Sequence, residues 1–98
     1  SIFKNCAAKK FSPNLQKEFK DAIKRDPFPV VPTAYLIAQA GLKGLRVLDA
    51  QVSEKHPNYM VNLGNARAKD VLRLIAKVKK RVKKKFRIDL EEEITFPH

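Results

Sequence analysis

The apolar and polar positions of this chain are organised around residues 50–86, AQVSEKHPNYMVNLGNARAKDVLRLIAKVKKRVKKKF. A short polar-apolar segment leads to a turn at His56-Pro57-Asn58, and Tyr59-Met60-Val61-Asn62 then reads as a strand. Gly64-Asn65 supplies a second turn, with Asn65 as the expected N-cap of a helix running from Ala66. Along that helix Val71, Leu72, Ile75, Val78, Val82 and Phe86 recur at helical spacing, while Lys69, Arg73, Lys77, Lys80 and Lys84 point the other way. The result is a strand-turn-helix unit with one face to bury.

The flanking segments carry weaker patterns. Ser1 to Cys6 reads as a short strand in which period-2 alternation sends Ser1, Phe3 and Asn5 to one side and Ile2 and Lys4 to the other. Ser12-Pro13 is a helix start, and Leu15, Phe19, Ala22 and Ile23 follow at helical spacing until Asp26-Pro27-Phe28-Pro29 forces an extended stretch through Val30 and Val31. Pro32-Thr33 opens a second helix over residues 34–40, with Gly41 placed to end it in the left-handed conformation. Near the end, Leu90, Ile94 and Phe96 share one face of an expected strand and leave Glu91, Glu93 and Thr95 on the other. These elements predict one α+β domain over residues 1–98, a small antiparallel sheet packed against helices.

Composition narrows the class. A chain of 98 residues buries about 60–65% of its unfolded surface, enough for a modest core. No stretch approaches the length of apolar residues a membrane-spanning helix needs, and no signal-peptide pattern opens the chain. One cysteine, Cys6, cannot form an internal disulfide, which fits a reducing cytoplasm, and with His56 and His98 it makes no zinc site. Cys6 reads as a small packing residue, since no nearby base would activate it.

The net charge of +11 alone suggests nucleic acid or an anionic surface. Much of that charge, however, lies on the outer side of the long helix and towards its C-terminus, where the macrodipole favours cations. No RNP-like run, GXXG loop or Gly-rich basic tract accompanies it. A nucleic-acid-binding module is therefore the alternative and a solvated charged face the preferred reading. A non-catalytic interaction domain is a further rival.

Residue detail adds a more specific signal. The run AQVSEKHPNYMVNLGNARAKDVL resembles AQVSEKHANFIVNTGNATAKDVL of the UDP-N-acetylenolpyruvoylglucosamine reductase family, in its C-terminal, substrate-binding domain. Three further pieces extend the resemblance. SIFKNC is similar to S-x-F-K-N-P, PTAYLIAQAGLKG to P-A-x-x-L-I-E-x-A-G-L-K-G, and LEEEITF to L-E-P-E-V-R-F.

The resemblance implies a bacterial, cytoplasmic flavoprotein oxidoreductase of peptidoglycan precursor synthesis. In that family NADPH reduces FAD, and the reduced flavin gives hydride to UDP-N-acetylglucosamine enolpyruvate. It further implies that Ser1 is the acid protonating the substrate carbon and that Glu93 takes the position of the family's catalytic glutamate, stabilising the enol or, if protonated, polarising the substrate carboxylate. Asn5 and Lys43 are implied as substrate contacts. His56 lies where relatives present a polar side chain, and it either donates to a diphosphate or satisfies a turn carbonyl. The flavin-binding domains of the family precede this segment and are absent from it. The chain, opening on Ser1 inside a motif, is therefore expected to bind neither FAD nor NADPH and to be inactive alone. Four departures stand out: Cys6 and Glu92 at positions where relatives carry proline, and Leu48-Asp49 where two glycines are common.

Overall fold

A computed structural model describes residues 1–25 and 27–93. Within them two small antiparallel sheets pack with three α-helices, an α+β arrangement with two sheets where the sequence pattern predicts one. Strand β1 (Cys6–Ala7) pairs with β2 (Val30–Val31), Cys6 opposite Val31. The second sheet runs β3 (Arg46–Val47), β4 (Ala50–Val52) and β5 (Met60–Asn62) in sequence order. Helix α3 (Ala68–Phe86) lies across β3 and β4, and α2 (Thr33–Gln39) packs against α3.

Alternation explains the sheet's inner face: Ala50 and Val52 point inward and are buried, while Gln51 between them is half-buried. Leu74, Ile75, Val78, Val82 and Phe86 of α3 cover that face together with Leu36, Ile37 and Leu42. Each such side chain contributes about 1.5–3 kcal/mol by leaving water. Phe19 sits among Phe11, Tyr35 and Phe86, all three edge-on, with ring centroids 5.9, 5.4 and 5.5 Å away. On the outside, the edge strand β5 and its flanks expose Tyr59, Val61 and Leu63.

Three expectations shift. Helix α1 (Pro13–Glu18) begins as foreseen, with Ser12 Oγ accepting from Leu15 N at 3.3 Å, but stops short of Ala22 and Ile23. Phe19 turns into the aromatic cluster, and Ala22 N and Ile23 N both fall back on Phe19 O, so core packing overrides helical spacing. Helix α3 starts at Ala68 rather than Ala66, and Asn65 is not its cap. Asn65 N donates to Asp49 Oδ2 (2.9 Å), Asn62 Oδ1 holds Gly64 N and Ala66 N, and Asp70 reaches back to Arg67 N at 3.0 Å. Leu72 stands outward and Leu74 takes its place in the buried stripe. Helix α2 matches, and Gly41 follows it at φ +72°.

The last expected strand is described only as far as Glu93, so Ile94, Thr95 and Phe96 lie outside the described residues. What is described makes one bridge, Glu92 opposite Phe3, flanked by Lys4 N to Glu91 O (2.8 Å) and Glu93 N to Ile2 O (2.9 Å).

Candidate functional site

Ser1, Asn5, Lys43, His56 and Glu93 are all exposed, and different local structures hold them. Ser1 and Glu93 meet: the Ser1 hydroxyl donates to Glu93 Oε1 across 92 residues of chain. The contact follows from backbone pairing, because Ile2 O accepts from Glu93 N and lays the two ends of the domain side by side. A hydroxyl and a carboxylate thus share one open edge.

The three adjacent glutamates have separate partners. Glu91 lies between Lys4 (3.8 Å) and Lys10 (3.6 Å), Glu92 pairs with Lys79 at 3.1 Å, and Glu93 takes Ser1. Lys83 likewise reaches Asp89 at 2.9 Å. The basic face of α3 is therefore partly answered by the acidic segment that follows it. These exposed pairs contribute little stability each, about 0–1 kcal/mol.

Asn5 does not share the Ser1 contact. Its Oδ1 accepts from Thr33 N at 3.1 Å and caps α2, whose own N-cap residue, Pro32, has no acceptor side chain. Buried Thr33 answers by donating its hydroxyl to Lys4 O at 2.6 Å. Beside it, burial pushes the Cys6 thiol up from its ordinary value of 9.0, so the thiol stays protonated and unreactive.

Lys43 and His56 stand on turns at the end of β4. Buried Leu42 anchors the 41–44 loop, Gly44 N donates to Val52 O at 3.0 Å, and Gln51 Nε2 to Gly44 O at 3.2 Å. Gly44 has φ +80°, and a Cβ there would come within 3.2 Å of Glu54 Oε1, so the loop needs glycine at that point. The His56 turn is closed by His56 N to Ser53 Oγ (3.1 Å) and Tyr59 N to His56 O (2.8 Å). Its carbonyl is satisfied without the imidazole, which packs edge-on against Tyr59 at 6.1 Å.

Sequence reasoning missed Asn58, which joins these regions. Asn58 is buried, and both ends of its side-chain amide bind the backbone of Phe3. Its partner lies 55 residues away, beyond any local pattern. A cleft of about 770 Å³ beside Ile23, Phe28 and Pro29 includes none of the five candidates. Among the described residues no group of three or more His, Cys, Asp or Glu could hold a metal, and no helix is long and apolar enough to cross a membrane.

Comparison with known proteins decides the family. The family model for the C-terminal domain of UDP-N-acetylenolpyruvoylglucosamine reductase matches residues 1–97. The chain belongs to this family. A curated relative of Symbiobacterium thermophilum, UDP-N-acetylenolpyruvoylglucosamine reductase 2, is 59% identical over 60% of this chain and 19% of its own length. The UDP-N-acetylenolpyruvoylglucosamine reductase of Bacillus licheniformis is 47% identical over 74% of the chain and 24% of its own length. A solved structure, UDP-N-acetylenolpyruvylglucosamine reductase (MurB) from Thermus caldophilus, aligns with a TM-score of 0.50 at 49% identity, over 64% of this chain and 22% of that one. The matches thus span a quarter or less of each of these relatives.

Proposed function

We propose that this chain is the substrate-binding part of a reductase that converts UDP-N-acetylglucosamine enolpyruvate to UDP-N-acetylmuramate in peptidoglycan precursor synthesis, in the bacterial cytoplasm. The family implies FAD and NADPH. The three glycines here, Gly41 and Gly44 in one loop and Gly64 in another turn, do not form the glycine-rich run of a dinucleotide site, so both cofactors are assigned to the remainder of the full-length enzyme. Reduced flavin supplies the hydride from there, and this chain supplies the groups that receive its consequence.

The observation that carries the reading is the Ser1–Glu93 hydrogen bond. Hydride addition to the enolpyruvyl carbon leaves negative charge on the neighbouring carbon and its carboxylate, and a proton must arrive there. A serine hydroxyl is a weak acid in water, but one held at the reacting carbon delivers its proton within the transition state. Glu93 accepts from that hydroxyl and so holds its oxygen in place; it would stabilise the enol or, if protonated, polarise the substrate carboxylate. Lys43, on its glycine-bounded loop, and the His56 imidazole face solvent and suit a diphosphate. Asn5 contacts the sugar nucleotide while capping α2. The open edge around Ser1 becomes an enclosed site once the flavin-binding domains cover it.

Stopped-flow measurement of the two half-reactions in the full-length enzyme carrying this segment tests the assignment. Ser1→Ala should leave NADPH reduction of the flavin near its normal rate and slow reoxidation by the enolpyruvyl substrate about 10²–10⁴-fold. Glu93→Gln should impair the same half-reaction. Slow flavin reduction with fast reoxidation in Ser1→Ala would show that the serine is not the acid.

A further inference from the structure

We infer that Asn58 is the positioning residue of the proton-donating serine, a role that rests on the acid function proposed for Ser1. Asn58 is 7% exposed. Its Oδ1 accepts from Phe3 N at 2.9 Å, its Nδ2 donates to Phe3 O at 2.8 Å, and its own carbonyl accepts from Ile2 N at 2.8 Å. From the opposite side Glu93 N donates to Ile2 O at 2.9 Å. The peptide groups that follow Ser1 are thus paired on both flanks, by Asn58 on one and by the Glu93 strand on the other.

This arrangement is particular to asparagine. The side-chain amide stands in for a strand residue, offering one donor and one acceptor at the spacing of a backbone peptide. Aspartate of the same size lacks the donor, leucine of the same shape lacks both, and glutamine is a methylene too long. Only a short backbone step separates Ile2 from the Ser1 hydroxyl, so loss of the bracket releases the hydroxyl from register with Glu93 and the substrate carbon. A displacement of about 1 Å costs on the order of 10²-fold in rate when the reacting geometry is tight. Almost fully buried and with its amide spent on Phe3, Asn58 has little to offer the substrate directly, and its bonds lead to the peptide groups beside Ser1.

The test is made in the full-length reductase carrying this segment, with Asn58→Leu, Asn58→Asp, Ser1→Ala and the two double variants. Asn58→Leu and Asn58→Asp should slow flavin reoxidation by the enolpyruvyl substrate on the order of 10–100-fold, with flavin reduction and affinity for the sugar nucleotide changed by less than about 3-fold. Adding either change to Ser1→Ala should slow the step no further, because a group that acts through another contributes nothing once the other is gone. Multiplicative slowing in the double variants, or equal slowing of both half-reactions, would overturn the positioning role, as would single variants that reoxidise at the normal rate. If Asn58→Leu fails to fold, Asn58→Asp, which keeps the volume and the acceptor, gives the same readings. If Ser1→Ala itself reoxidises normally, the acid role fails, and the positioning role fails with it.

Discussion

The Ser1–Glu93 edge and the Lys43–His56 turns of this domain are built by opposite means. Ser1 and Glu93 meet because hydrogen bonds tie the two ends of the chain together, each bond crossing more than half its length. Lys43 and His56 stand on turns whose bonds close within a few residues, on a three-stranded meander backed by α3. Local closure needs little chain entropy and forms early, whereas pairing the ends requires nearly the whole domain to be in place. On the functional reading above, the binding turns are preformed, and the reacting pair exists only in the completed fold.

The strongest way to break this contrast is to remove the apolar anchor of the distant edge. Phe3 is 1% exposed and lies between Ser1 and Asn5. Phe3→Ala should cost about 3–5 kcal/mol, a large share of the stability of a domain this size. Amide exchange should show residues 2–4 and 91–93 losing protection while Val52 and Ser53 retain theirs. Uniform loss across both regions would mean that the domain opens as one unit and that the contrast has no energetic content.

Cys6 offers a second reading of the same question. Its thiol is buried beside Thr33, and burial raises its pKa, so alkylation should be slow in the native domain and fast in Phe3→Ala. The pH sign follows. Above the thiol's ordinary value of 9.0 the unfolded chain loses this proton while the folded one keeps it, so stability should fall as pH rises through that value. Cys6→Ala should remove that part of the alkaline slope.

Charge sharpens the contrast from the binding side. Lys43→Ala should weaken UDP binding about 10–100-fold, the worth of one charge-assisted contact, with amide shifts centred on residues 41–44. Ser1→Ala should leave that affinity unchanged. Shifts confined to residues 77–85, and reproduced by inorganic pyrophosphate, would mean that the ligand senses only the net charge of +11.

What was legible in the sequence follows the same division. Helix α2 with Gly41 behind it, the His56 turn, β5 and the amphipathic helix were readable, because capping residues, turn residues and periodicity act over a few positions. Phe19 was misplaced because an aromatic cluster, not local propensity, decides where α1 ends. Asn65 looked like a cap, but Asp49 on the hairpin takes its amide, and Asp70 closes α3 from within. Of the candidate residues, Ser1 and Glu93 came from family resemblance and their contact went unread, since nothing local relates positions 92 apart. Asn58 and Thr33 went unread for the same reason. Each satisfies backbone groups of the first five residues from far along the chain.

The smallest expected effect lies in the β3–β4 turn, at Leu48-Asp49. Leu48 has φ +49° and is 69% exposed, so it holds a left-handed backbone with almost no burial to offset it. For a side chain with a Cβ that conformation costs roughly 1–2 kcal/mol. Glycine removes the clash but adds freedom to the unfolded chain, returning about 0.5–1 kcal/mol. The net for Leu48→Gly is a gain of about 0.5–1 kcal/mol, or a few degrees in Tm for a domain of this length. Asp49 should be left in place, because its carboxylate holds Arg46 at 3.2 Å and Asn65 N at 2.9 Å and so ties the hairpin to the approach of α3. Arg87, at φ +61° after α3, supplies the control. There a cation sits at a helix C-terminus, where the dipole favours it, so Arg87→Gly should gain less than Leu48→Gly. A larger gain at Arg87 would place the greater backbone strain on the segment leading to Glu93 rather than in the local turn.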